Sequence, residues 1–308
     1  MSPFIRVPAD APLRLLTVHA HPDDEASKGA STVAQLHSEG VHCVLVCCTG
    51  GEAGDILNPA MDVPEVHADL PGVREAELAR AAEIIGYDEV VMLGYRDSGM
   101  KDSEHNARAD AFANADQDEA VGRLVAIIRR VRPQVVVTYP DARGEYDHPD
   151  HVQVHDISVP AFHAAGDPGR YPEAGPAWQP SKLYYTMWSR ARIAGLHEKF
   201  LELGIESPYD EWWFKRPSRD HLITTQVPIG EHWDVRGNAL RAHATQIDPA
   251  SPFWFGLPDD VARTVHPFDD YRLTACCVDG WPVDSSTYLP SGGLEEDLFA
   301  GLRAEVSA

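Results

Sequence analysis

The sequence predicts an α/β protein, a doubly wound and mostly parallel sheet with helices on both faces, followed by an irregular C-terminal extension. Three observations predict it. Strand-like and helix-like segments alternate through the first two-thirds of the chain. The strand candidates are continuous apolar runs, such as HCVLVCC at 42–48, which suit strands covered on both faces. The most polar short segments fall just past strand ends and open helices, the edge at which such sheets bind ligands.

The elements follow in order. Residues 13–20 (LRLLTVHA) form the first strand and run directly into HPDDEASKG. Residues 25–39 then set Ala26, Ala30, Val33, Ala34 and His37 on one face of a helix that Gly40 stops. Residues 42–48 are the second strand. The polar loop 49–72 is longer than most connections, and loops of that length tend to carry function. A helix at 74–85, a strand at 89–93 and a helix at 118–130 follow, with Val121, Leu124, Val125 and Ile128 in phase. Pro133 breaks that helix, and QVVVTY at 134–139 is the next strand. The loop ARGEYDHPDH leads into a helix over 149–165, then a strand at 182–188 and a helix at 190–203. The alternation implies right-handed crossovers. Beyond residue 205 the pattern loosens to a strand at 222–229 and a helix at 231–246. Residues 1–205 are therefore expected to be the catalytic core. Residues 206–308 are expected to pack on it and help shape the pocket, with Trp212, Trp213 and Phe214 in core or pocket wall. No GxGxxG follows the first strand, so dinucleotide binding has little support.

The chain has 308 residues, with 26 basic against 48 acidic side chains and a formal charge of −22. Such a surface repels phosphate backbones and anionic lipid, which argues against nucleic-acid and membrane-surface roles. The first eleven residues and the short apolar run after them do not make a targeting or membrane signal. Cys43, Cys47, Cys48, Cys276 and Cys277 form an odd set without CxxC spacing and read as small core hydrophobes. A cytoplasmic protein is expected.

Chemistry concentrates in two segments, His21-Pro22-Asp23-Asp24 after the first strand and His148-Pro149-Asp150-His151 after the strand at 134–139. Proline suits a first helical turn, where no backbone donor is needed. His21 and Asp24, three apart, can point to one side of a turn, and His151 can join them from the neighbouring junction. Two imidazoles and a carboxylate are a catalytic metal set with an open position; they serve zinc and equally Fe(II). Asp23 and His148 remain beside the open face, suited to a general base and to an oxyanion donor or acid. Tyr146 is close enough to offer a hydroxyl to the same oxyanion. Glu52, Asp55, Arg74 and Asp97 sit on loops or helix starts facing this edge, where a polyhydroxylated ligand wants carboxylates and guanidinium groups. Each also reads as a salt bridge or cap. Lys28 stands one turn past Asp24, within reach of a substrate carbonyl or of solvent. His243, in RAHATQ, reads as a packed histidine or a pocket residue.

AHPDDE at 20–25 together with HPDH at 148–151 resembles the N-acetylglucosaminyl-phosphatidylinositol de-N-acetylase family (LmbE-like), over residues 13 to about 250. The resemblance implies a Rossmann-like deacetylase fold and zinc-dependent hydrolysis of an amide on an aminosugar. It implies metal ligation by His21, Asp24 and His151, a general base at Asp23, and oxyanion or acid assistance from His148 and Tyr146. TGGEAGDILNPAMD at 49–62 and LRAHATQIDP at 240–249 are similar to the branch that cleaves mycothiol S-conjugates. YRDSGM at 95–100 and GGLEEDLFAGL at 292–302 are similar to the branch that deacetylates N-acetylglucosaminyl-inositol. The leading expectation is cleavage of the glucosamine–cysteinyl amide of an aminosugar-inositol thiol conjugate, with aminosugar deacetylation as the alternative. A non-catalytic sugar-binding module is the reading from a different class. By the same resemblance Lys28 meets the cysteinyl part, and Arg74 and Asp97 hold sugar or inositol hydroxyls. Glu145, where that branch has glycine, adds a carboxylate beside the site.

Overall fold

A computed structural model describes residues 12–143, 146–278 and 294–303. The expectations that touch residues 1–11, Glu145 and the start of GGLEEDLFAGL lie outside them. The chain forms an α/β fold whose seven-stranded sheet has the order β3-β2-β1-β4-β5-β7-β6. β1 (Arg14–His19) pairs in parallel with β2 (His42–Thr49) on one side and β4 (Val135–Thr138) on the other. β3 (Glu89–Tyr95) lies parallel beyond β2, and β5 (Lys182–Met187) parallel beyond β4. Chain order therefore reverses between β1 and β4, and the crevice at their C-terminal ends is the switch point of the sheet.

Register aligns the apolar runs: Leu16 faces Val44 on one flank and Val136 on the other. Every residue of β2 after His42 is buried, as a strand covered on both faces requires. α1 (Asp24–Ser27), α2 (Ala30–Ser38), α4 (Leu70–Ile85) and α9 (Trp233–Ala242) cover one face, packing Val33, Leu36, Ala81, Ile85 and Leu240 against Leu15, Cys43 and Val135. α5 (Gln117–Val131) and α6 (Pro149–Ala165) cover the other through Leu124, Ile128, Val154 and Phe162.

Some boundaries differ from expectation, each for a local reason. The helix expected over 25–39 is two helices, because Gly29 takes φ 93° between them. α3 (Pro64–Ala68) occupies part of the long loop, and α4 starts at Leu70, where Asp69 caps the Gly72 amide at 3.2 Å. α7 (Arg190–Glu202) and α8 (Glu211–Lys215) follow β5, and α10 (Pro252–Phe255) and α11 (Asp259–Ala262) follow α9.

The largest difference is β7 (Phe268–Cys276), absent from the expected elements. It runs antiparallel to β5 and to β6 (Thr225–Pro228), so the chain after residue 205 completes the same sheet. Glu295 ties the last segment down. It pairs with Lys182 Nζ at 3.1 Å and accepts hydrogen bonds from Tyr184 Oη at 2.9 Å and Thr225 Oγ1 at 3.0 Å, all buried. The five cysteines are free, and all but Cys277 are buried. Among the described residues no helix is long and apolar enough to cross a membrane.

Candidate metal centre and cleft

β1 ends at His19 and Ala20 leads into His21; the chain turns sharply there because Asp23 adopts φ 110°, left-handed for a non-glycine residue. That turn directs the Asp24 carboxylate back to accept a hydrogen bond from the His21 amide at 3.0 Å. From the other side of the switch point, Tyr139 follows β4, and α6 opens with His148 as its cap and Pro149 and His151 in its first turn. His151 Nε2 lies 3.3 Å and His21 Nδ1 3.5 Å from Asp24 Oδ2. The candidate ligand atoms of His21, Asp24 and His151 all fall within 4.8 Å of one another, and the three residues are 9% exposed or less. Two nitrogens and one carboxylate oxygen, converging with no fourth ligand atom grouped with them among the described residues, match the donor set of an open divalent-metal site.

Carboxylates behind the set orient it. Asp150 Oδ2 lies 3.1 Å from His21 Nε2, and the same carboxylate accepts from the Ser98 amide at 2.9 Å and from the Ser98 hydroxyl. An imidazole held by a carboxylate on its outer nitrogen is the usual support of a metal-binding histidine. Asp97 Oδ1 is 3.5 Å from the same nitrogen and accepts the Gly99 amide at 2.8 Å, while Asp97 Oδ2 accepts the Ala53 amide at 3.2 Å. His21, Asp97 and His148 form a second cluster sharing His21 with the first.

Protonation follows from these contacts. Burial disfavours a charged His21, but hydrogen bonds to Asp150, Asp24 and Asp97 outweigh it and hold its pKa well above 6.5. Burial would raise Asp24, yet His151 and Lys28 outweigh that and hold it well below 3.8. Asp23 moves the other way: burial and the neighbouring Asp24 charge push it up to about 6, against Arg74, His243 and His21. Burial, then His21 and His151, push His148 down to about 3. The Asp150 amide donates to His148 Nδ1 at 3.3 Å, which leaves the proton of this neutral ring on Nε2.

The centre opens into a cleft of ≈ 530 Å³ lined by Asp23, Asp24, Lys28, Tyr146 and His151 at one end and by Trp212, Trp213, Phe253 and Trp254 along the wall. Lys28 Nζ hydrogen-bonds Asp24 Oδ1, and Ser27 Oγ at 3.2 Å. Tyr146 is half exposed, its ring 5.0 Å from that of His151.

The other sequence-predicted residues do not line this cleft. Arg74, 2% exposed, donates to the Gly51 and Pro22 carbonyls and stands 3.7 Å from Asp23 Oδ2. Glu52 lies 3.8 Å from Arg96. His243 is fully buried, its Nε2 2.5 Å from Glu25 Oε1, while Glu25 Oε2 accepts the Asp23 amide at 2.9 Å. Sequence reasoning missed Glu25, Ser98 and the support given by Asp150. Glu25 stands inside the AHPDDE motif and Ser98 inside YRDSGM beside Asp97, and that adjacency was the available signal for both.

Comparisons with known proteins agree with this geometry. The family model described as PIG-L: GlcNAc-PI de-N-acetylase matches residues 16–162. A mycothiol S-conjugate amidase of Streptomyces coelicolor is 43% identical over 300 residues, covering 94% of this chain and 98% of that protein. A 1D-myo-inositol 2-acetamido-2-deoxy-alpha-D-glucopyranoside deacetylase of Geodermatophilus obscurus is 41% identical over 304 residues, covering 94% and 98%. Among solved structures, the N,N'-diacetylchitobiose deacetylase of Pyrococcus horikoshii shares the fold with a TM-score of 0.57 at 18% identity, covering 84% of this chain and 83% of that one.

Proposed function

The chain belongs to the PIG-L/LmbE-like deacetylase family of metal-dependent amide hydrolases, and from that premise we propose that it deacetylates an N-acetylglucosaminyl-inositol type of aminosugar. The observation that carries the reading is the buried His21–Asp24–His151 donor set with Asp23 beside it at the mouth of the cleft. The similar deacetylases, including the Geodermatophilus protein, support the acetylated sugar as substrate.

His21, Asp24 and His151 would hold the metal, zinc in preference to Fe(II). When bound, a divalent cation supplies positive charge that polarises the amide carbonyl and makes a nearby water easier to deprotonate. Asp23, with its pKa near 6, takes the proton from the attacking water. As the carbonyl oxygen becomes negative, the Nε2–H of neutral His148 donates to it, and the Tyr146 hydroxyl can add a second donor. Asp23 then passes its proton to the nitrogen as the C–N bond breaks, so acetate and the free amine leave and the carboxylate is restored. Lys28, which lines the cleft, is read as the residue that meets the acyl group. Arg74, Asp97, Glu25 and His243 act from behind, fixing the loop that carries Asp23 and the ring of His21. The free cysteines support a reducing, cytoplasmic setting.

One observation favours a second reading, cleavage of the glucosamine–cysteinyl amide of a mycothiol S-conjugate. The aromatic wall of Trp212, Trp213, Phe253 and Trp254 offers more apolar surface than an acetyl group uses. The test is kcat/KM for N-acetylglucosaminyl-inositol and for a mycothiol S-conjugate, side by side on protein of measured metal content. Preference for the acetylated sugar is expected. A reversed preference supports the second reading, and metal-loaded protein inactive on both overturns the two together.

A further inference from the structure

Behind the cleft lies a second cavity of ≈ 260 Å³, between α7, α9, α10 and the segment after α11. It shares Trp188, Leu240, Phe253 and Trp254 with the cleft as a common wall, and holds none of the residues of the metal centre. Three guanidinium groups line it, from Arg192, Arg236 and Arg241. In a chain carrying 48 acidic side chains, cations that line a cavity are expected to be paired. None of the three is in a close ion pair: among the described residues no carboxylate lies within 4.0 Å of their nitrogens, and only Arg192 acts at longer range on a buried carboxylate, that of Asp269. Asp234, on the cavity wall, is taken by Arg263 at 2.9 Å. Arg236 Nη1 is buried and has no hydrogen-bond partner among the described residues, the costly state that an anionic ligand relieves.

The rest of the lining says what kind of anion. The Arg192 and Arg236 guanidiniums stand 5.4 and 5.3 Å from the Trp188 ring centroid, and Arg241 stands 4.2 Å from that of Phe255. Trp233, Tyr209 and Phe200 add further apolar surface. Guanidinium groups laid on aromatic faces keep their edge N–H donors free, in the planar fork that matches a carboxylate. A hydrated inorganic anion would make no use of the apolar lining from Trp233, Tyr209 and Phe200, and a sugar would leave the Arg236 charge unanswered. We infer that this cavity binds a small carboxylate carried on an aromatic or other flat apolar body, its charge on Arg236 and Arg192 and its body against Trp188 and Trp254. This site stands whether or not the reading of the metal centre holds.

Benzoate is the probe, with benzyl alcohol as its uncharged counterpart, titrated calorimetrically into the full-length protein, metal-loaded and metal-stripped. Benzoate binding of equal strength in both forms is expected, with benzyl alcohol at least tenfold weaker. Arg236→Gln should weaken benzoate at least tenfold and Arg236→Lys less; kcat/KM on the metal-centre substrate serves as the check on folding. If Arg236→Gln does not fold, Arg192→Gln decides by the same criterion. Binding that disappears with the metal would put the carboxylate at the metal centre and overturn the inference. So would equal binding of benzyl alcohol, no binding of benzoate, or unchanged affinity in the folded arginine variant.

Discussion

His243 and Glu25, 218 positions apart in the chain, form a fully buried pair with Nε2 2.5 Å from Oε1. The other oxygen of Glu25 accepts the backbone N–H of Asp23, a non-glycine residue with a left-handed backbone. A strained conformation persists only where its surroundings hold it, and this pair, with Arg74 on the Pro22 carbonyl, is what holds Asp23.

Glu25→Gln separates positioning from folding. The glutamine oxygen still accepts the Asp23 amide, but the charge facing His243 is gone. Metal content should stay at the wild-type level while kcat falls about tenfold and KM changes little. Glu25→Ala strands a buried imidazole as well and should cost about 3–5 kcal/mol of stability. Wild-type kcat in a folded, metal-loaded Glu25→Gln protein would reduce the pair to a packing role.

Metal uptake should expel a proton at pH 7. Metal-free His21 is held charged by its carboxylate neighbours, with a pKa well above 6.5, and ligation requires the neutral ring. Affinity should therefore rise with pH until His21 is neutral in the metal-free protein. Zinc calorimetry at pH 7 in buffers of different ionisation enthalpy should report about one proton released per metal bound. A binding enthalpy independent of the buffer contradicts this protonation state.

His148 should matter for rate and not for the pH profile. Its pKa is pushed down from 6.5 to about 3, so the ring is neutral throughout pH 5 to 9, and a bound cation pushes further in the same direction. His148→Gln should lower kcat by about 10²–10³, the loss typical of an oxyanion donor, and leave the shape of the alkaline limb unchanged. Loss of that limb in the variant would make His148 a titrating acid instead.

The paired HPD segments were legible because two short motifs at two strand ends can meet only if those strands are neighbours, and β1 and β4 are. The parallel core was legible from continuous apolar runs such as β2, which the fold buries on both faces. β7 was not, because Asp269 and Asp270 interrupt its apolar pattern. Asp269 is nevertheless buried, accepting from the Thr32 amide at 3.1 Å and the Thr32 hydroxyl at 2.8 Å, partners 237 positions away that no local pattern reveals. For the same reason His243 gave no sign that its partner was Glu25. Residues that act through distant contacts are silent in a linear reading.

The break between α1 and α2 gives the last prediction, at Gly29. The helix expected over 25–39 is interrupted there at φ 93°, and a Cβ on Gly29 would lie 2.5 Å from Tyr271 Oη of β7. Only glycine meets both demands at no cost, since other residues pay strain at positive φ and the hydroxyl would have to move. Tyr271 is buried in the sheet, so it has little room to yield. Gly29→Ala should therefore destabilise the protein by about 2 kcal/mol, read as a lower midpoint in chemical denaturation. The same change should disturb the turn that carries Lys28, raising KM more than it lowers kcat. An alanine variant as stable as the wild type would mean that α1 and α2 can join into one helix, and that the break at Gly29 does not need glycine.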